Sequence, residues 1–265
     1  QTSGNCIRNT TTDQFAGVAD DEIEDPRPWC EIIRQWSTLH PEFAFLPRKF
    51  KIAVCGSEED RAAFLLHDIG LQLVKNESGE TGFHVFAGGG LGRTPVIASS
   101  IREFLPKEHL LTYLDAILRV YNRFGNRDNK YKARIKILVK AMGVDAFREK
   151  VEQEWAHIRG GSNTLSSAAV EKVKNHFQPI DYPQHDDSSM NRELASQRLE
   201  SPEFARWLDK NTLAHKQASY AIVNLALKPT GIAPGDITDV QMDAIADLAD
   251  QYSNGQLRNT HHQNI

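Results

Sequence analysis

Apolar residues recur along the chain with two periods. After Leu46 and Pro47, the residues Phe50, Ile52 and Val54 alternate with Lys49, Lys51 and Ala53. That period of two predicts a strand with each set on its own face, so Lys49 and Lys51 point the same way, about 7 Å apart. Asp68 to Val74 alternates in the same manner, Asn76–Gly79 reads as a turn, and Gly82–Ala87 completes a hairpin. The helical period governs Trp29, Ile32, Ile33 and Trp36, opened by Pro26 and Pro28 and closed by His40 and Pro41. It governs Glu108 to Phe124 as well, where Leu110, Leu111, Leu114, Ile117, Leu118 and Tyr121 line one broad face and Gly125 follows as a cap. A basic helix is expected from Lys130 to Met142, with Lys132, Lys136 and Lys140 on a solvated face, and Phe147 to His157 extends the helical region.

The rest of the chain is more polar. Residues 1–20 are rich in Thr, Asn, Gly and Asp and read as a loop that carries Arg8. A short helix is expected over Ser166–Phe177, and Pro179 to Pro202 reads as a surface linker. Beyond it lie a strand (Tyr220–Leu227), a helix (Thr238–Tyr252) and a second strand from Leu257. This strand–helix–strand unit resembles half of a ferredoxin-like domain. The fold class expected is α+β: a mixed β-sheet flanked by helices over residues 1–160, a linker with a short helix over 161–202, and an incomplete ferredoxin-like unit over 203–265. Gln1 to Asn5 reads as the middle of a loop, and the last residues stop as a strand gets under way, so the sequence is read as a piece of a longer protein.

One glycine run stands out. Gly88-Gly89-Gly90-Leu91-Gly92-Arg93 follows the second hairpin strand and precedes Thr94-Pro95, a good helix start. Read as strand, loop and helix through about Phe104, it offers bare N–H groups and a helix N-terminus to an anion. It reads equally well as a bulge or tight turn, and its spacing fits neither a dinucleotide fingerprint nor a P-loop.

Charge narrows the candidate chemistry. The net charge of -4 argues against bulk attraction to nucleic acid or an anionic membrane, so any anion site must be local. No apolar run is long enough to span a bilayer. The 3 cysteines, Cys6, Cys30 and Cys55, are far apart and odd in number, which argues against a disulfide framework and for a reducing, cytoplasmic compartment. Lys49 and Lys51 on one face, with Arg48 beside them, repel one another unless an anion sits there.

Four motifs point further: Asn5-Cys6-Ile7-Arg8-Asn9, Leu46-Pro47-Arg48-Lys49-Phe50-Lys51, Gly88-Gly89-Gly90-Leu91 and Gly125-Asn126-Arg127. In order and rough spacing they resemble the sirohaem-dependent sulfite and nitrite reductases, above all the haemoprotein (beta) subunit of assimilatory sulfite reductase. The resemblance covers residues 1 to about 150 and resumes over about 215–265. It implies that Arg8, Lys49 and Lys51 line the distal side of sirohaem and hold sulfite or nitrite. It implies that Arg48 pairs with a sirohaem carboxylate and that Gly89 and Gly90 approach the macrocycle. The implied reaction is the six-electron reduction of sulfite to sulfide, in which clustered cations neutralise the anion and donate protons. Nitrite reductases of the family tend to carry Asn where this chain has Lys51, so the lysine favours sulfite. The implied electron donor is a flavoprotein subunit or a ferredoxin. The implied [4Fe-4S] cluster needs about four cysteine ligands, and this chain has 3 without paired spacing; its ligands are expected outside this sequence, and the fragment alone is expected to be inactive. Two alternatives stand beside this reading: nitrite reduction on the same scaffold, and a non-catalytic anion or phosphate-ligand module built on the glycine loop.

Overall fold

A computed structural model describes residues 4–178, 180–183 and 187–265. Two compact units divide the chain: Gln1–Gly17 with Asp21–Pro179, and Val18–Asp20 with Ile180–Ile265.

The first unit is built on β1 (Ile7–Thr11), α1 (Arg27–Ser37), β2 (Phe50–Cys55), β3 (Ile69–Lys75), β4 (Thr81–Ala87), β5 (Ser99–Pro106), α2 (Leu110–Phe124), α3 (Ile135–Met142), α4 (Val144–Ile158) and α5 (Ser167–Lys174). Its sheet has the order β1-β2-β3-β4-β5. β1, β2 and β3 run parallel, and β3-β4-β5 form an antiparallel meander. The mixed sheet with flanking helices agrees with the sequence expectation. One face carries the main core: Trp29 and Ile33 of α1, Phe50, Ile52 and Val54 of β2, Leu71, Leu73, Phe83 and Val85 of the hairpin, and Leu114, Ile117 and Tyr121 of α2. The other face of β2 carries Ala53 and Cys55, closed by Ala62 and Phe64 in a second, small cluster. β2 is therefore covered on both faces beyond Lys51, as suits a strand inside a sheet with parallel neighbours.

Three sequence expectations are corrected here. Residues 1–20 are not all loop, because Ile7–Thr11 adds a parallel strand beside β2. Thr94-Pro95 does not start a helix: Gly90 and Val96 exchange two backbone hydrogen bonds of 2.9 Å around a tight exposed turn, and Ser99–Pro106 then pairs with β4. The local helix-start signal loses to a sheet edge that offers a full ladder of partners. Residues 161–178 do not belong to a linker, because Val173 of α5 sits in the main core with Leu165, Val170 and Phe177 packed against it.

The second unit contains α6 (Asp187–Glu200), α7 (Pro202–Asn211), β6 (Thr212–Ala214), β7 (Ala221–Val223) and α8 (Asp239–Tyr252). The linker read over Pro179 to Pro202 is thus largely a helix; residues 179 and 184–186 of it lie outside the described residues. β6 and β7 pair antiparallel. The expected strand from Leu257 is replaced by an irregular segment that meets residues 225 and 226 through one bridge, Ala226 to Asn264, and the Leu225–Ile265 hydrogen bonds. α8 opens with a capping box, Thr238 with Gln241.

Candidate functional site

The site forms at the mouth of β2. Lys49 precedes the strand and Lys51 is its second residue; both are half-buried around the fully buried Phe50. Strand geometry sends both lysines to the Ala53–Cys55 face. There the small apolar cluster ends and the cations begin.

Arg8 reaches the same place through an irregularity in pairing. Ile7 pairs with Phe50 and Asn9 with Lys51, so Arg8 is one residue more than its partner strand holds. Such a bulge re-aims a side chain that a regular ladder would send elsewhere. The electrostatics register the convergence: burial, then the charges of Arg8, Lys51, Arg134 and Arg48, lower the pKa of Lys49. Charges from sequence positions as distant as 8 and 134 thus act on the one Lys49 ammonium.

Arg134 is the member that the sequence reading missed. Tyr121, fully buried against Phe50, holds it in place. The Tyr121 hydroxyl donates to Ala133 O at 2.8 Å and accepts from the Arg48 main chain. The Arg134 guanidinium then pairs with Asp68 at 2.8 Å, while its Nε is buried without a hydrogen-bond partner. Lys136, expected on a solvated face, is only 5% exposed. Its ammonium donates to Thr94 O at 2.6 Å and Leu91 O at 3.1 Å, closing the turn after the glycine run. His67 packs beneath that run with Nδ1 2.8 Å from Ala63 O, and burial lowers its pKa.

The glycines have a cause of their own. A Cβ on Gly89 would lie 2.4 Å from His67 O and 2.5 Å from Leu65 O, and one on Gly90 would lie 2.9 Å from the Arg134 guanidinium. The chain's own packing therefore demands Gly89, where main-chain oxygens leave no room, whereas at Gly90 only the ends of the Arg134 and Lys136 side chains would have to shift. Arg127, of the Gly125-Asn126-Arg127 motif, ties its loop to the segment before β2 by donating to Phe45 O at 2.9 Å. The anion site imagined at a Thr94-Pro95 helix start does not form, since no helix starts there.

The donor set decides which cofactors fit. A polycarboxylate tetrapyrrole calls for fixed cations, and Arg8, Arg48, Lys49, Lys51 and Arg134, with one guanidinium nitrogen unpartnered, suit it. An iron–sulfur cluster does not fit this chain's own cysteines. Cys30 donates to Thr11 O and Cys55 sits buried beside Ser57, while the described residues contain no group of three metal-ligating side chains. Among the described residues no helix is long and apolar enough to cross a membrane.

Known proteins resemble this chain in sequence and in fold. Residues 3–159 match the family model described as nitrite and sulphite reductase 4Fe-4S domain. Residues 225–265 match the nitrite/sulfite reductase ferredoxin-like half domain. The chain is 32% identical over 180 residues to sulfite reductase [ferredoxin] 1 of Mycolicibacterium paratuberculosis, covering 65% of this chain and 32% of that protein. It is 28% identical over 266 residues to the assimilatory ferredoxin-dependent nitrite reductase of Haloferax mediterranei, covering 98% of this chain and 40% of that one. Among solved structures, NirA of Mycobacterium tuberculosis shares the fold with a TM-score of 0.67 at 24% identity, over 98% of this chain and 40% of that one. The chain thus spans well under half the length of these relatives.

Proposed function

We propose, from the premise that this chain belongs to the nitrite and sulphite reductase family, that it supplies the substrate-binding side of a sirohaem enzyme that reduces sulfite to sulfide. The observation that carries this is the meeting of Arg8 with Lys49 and Lys51 at one strand mouth. Sirohaem, when bound, supplies the iron that takes the substrate and delivers electrons to it. The chain's own residues do the rest. Arg48 and Arg134 offer charge to the macrocycle's carboxylates, and Arg8, Lys49 and Lys51 surround the oxyanion. Fixed cations in a partly buried site stabilise negative charge far better than water does, without reorganising. Each S–O bond that breaks needs protons. Lys49, its pKa lowered by burial and by cationic neighbours, gives up its proton more readily than an isolated lysine. Lys51 favours sulfite over nitrite, although relatives of both names match. The electron donor is proposed to be a ferredoxin or a flavoprotein subunit, following the relatives named for ferredoxin and the NADPH haemoprotein component.

The test is made in the complete reductase. Lys49→Met and Lys51→Met are each expected to lose on the order of 10²-fold in sulfite turnover with the sirohaem absorbance retained. The KM for sulfite in the unmodified enzyme is expected to rise on the alkaline side as Lys49 loses its charge. Full activity in both variants counts against the proposal, and nitrite turnover that survives while sulfite turnover falls moves the assignment to nitrite.

A further inference from the structure

A carboxylate lies where the proposed function has no evident use for negative charge. Asp68 is 1% exposed and sits just before β3, among side chains that would receive an anion. All three of its oxygens are engaged, each by a different part of the site. Oδ2 accepts the Lys51 N–H at 3.0 Å, Oδ1 accepts Arg134 Nη2 at 2.8 Å, and the main-chain oxygen accepts the Gly88 N–H at 3.0 Å.

The sheet register explains the first contact. β2 and β3 pair from Ile52 and Ile69 onward, so Lys51 and Asp68 are the residues one step outside the ladder. A side-chain oxygen stands there in place of a strand carbonyl. The second contact holds a guanidinium that the neighbouring cations repel. The third ties the start of the glycine run to the same residue. Burial pushes the Asp68 carboxyl up, and the Arg134 charge, with hydrogen bonds from Arg134 and Lys51, opposes it.

We propose that Asp68 is the positioning residue of this site: its one buried carboxylate fixes the root of Lys51 and the guanidinium of Arg134 relative to each other, while its main-chain oxygen holds the first turn of the glycine run beside them. The inference rests on the proposed reading of the basic cluster. Cations that repel one another hold no definite spacing unless something anchors them, and an oxyanion is recognised by the spacing of its donors. Aspartate suits the place for a geometric reason. It offers two acceptors on a short stem, whereas asparagine offers one oxygen and glutamate moves both by a methylene.

The test has one arm without any cofactor and one with it. In this chain alone, amide hydrogen exchange at Lys51 is expected to quicken about tenfold or more in Asp68→Ala, and to a smaller degree in Asp68→Asn. The amides of Leu73 and Phe83, in the adjoining hairpin, are expected to keep their rates, which shows that the fold is intact. In the complete reductase, Asp68→Asn is expected to raise the KM for sulfite about tenfold with the sirohaem absorbance unchanged. Native exchange at Lys51 in both variants overturns the proposal, as does a native KM or a loss confined to kcat, which a smaller folded fraction alone would produce. Lys49→Met separates the two readings. If it is fully active, the basic-site reading falls. If it is crippled while Asp68→Asn is native, the positioning role alone falls.

Discussion

The two units of the chain acquire their helices by different means. In the first unit, α1, α2, α3 and α4 open without a side-chain capping hydrogen bond. They are held by what they bury, with Trp29, Ile33, Leu114, Ile117 and Phe147 essentially inaccessible. In the second, α7 and α8 carry side-chain caps, Ser201 on Phe204 N and Thr238 on Gln241 N. Yet α8 buries only Ile245 and Ala249, while Val240 and Tyr252 stand 72% and 70% exposed. Burial supports α1 to α4 of the first unit, whose α5 adds a Ser166 cap, and local end signals support α7 and α8 of the other. The basic site belongs to the first kind of region for a physical reason: holding like charges at fixed spacing needs a stiff base, and close-packed side chains on a sheet provide one.

This contrast is open to direct measurement. Leu71→Ala, in the centre of the first unit's core, is expected to cost about 3–5 kcal/mol in denaturant unfolding, and Ile245→Ala about 1–2 kcal/mol. Similar losses at the two positions would erase the distinction. Gly89→Ala drives a Cβ into two main-chain oxygens that cannot swing aside. It is expected to cost about 2–3 kcal/mol, whereas Gly160→Ala, with nothing within 4 Å of its Cβ, is expected to stay within about 0.5 kcal/mol of the parent. An equal effect at both would mean that the glycine run is not packed as described. Thr238→Ala is the mildest probe. Loss of the capping box is expected to cost about 1 kcal/mol and to show as a lower helical circular dichroism signal with the first unit's unfolding unchanged.

Much of this arrangement was legible along the chain. Alternation identified β2, β3 and β4, the helical period identified α1, α2 and α8, and the charges of Arg48, Lys49 and Lys51 marked a candidate site, to which only the family resemblance added Arg8. These signals are local, because side-chain period and charge are written in neighbouring residues. β5 was misread because Thr94-Pro95 imitates a helix start, and only the presence of β4 alongside tells the backbone where its hydrogen bonds go.

The site's remaining parts have no local signature at all. Arg8 enters through a bulge defined by a strand more than forty residues away, Arg134 meets Asp68 across 66 residues, and Lys136 turns inward to carbonyls 42 and 45 residues back. The sequence by itself determined which residues carry positive charge and which segments alternate or coil. Only the tertiary structure decided that these cations share one strand mouth, and that a buried aspartate stands among them. Convergence is a property of the chain's path, set by which apolar faces pack together, and the charged residues at the end of that path carry no record of it in their own neighbourhoods.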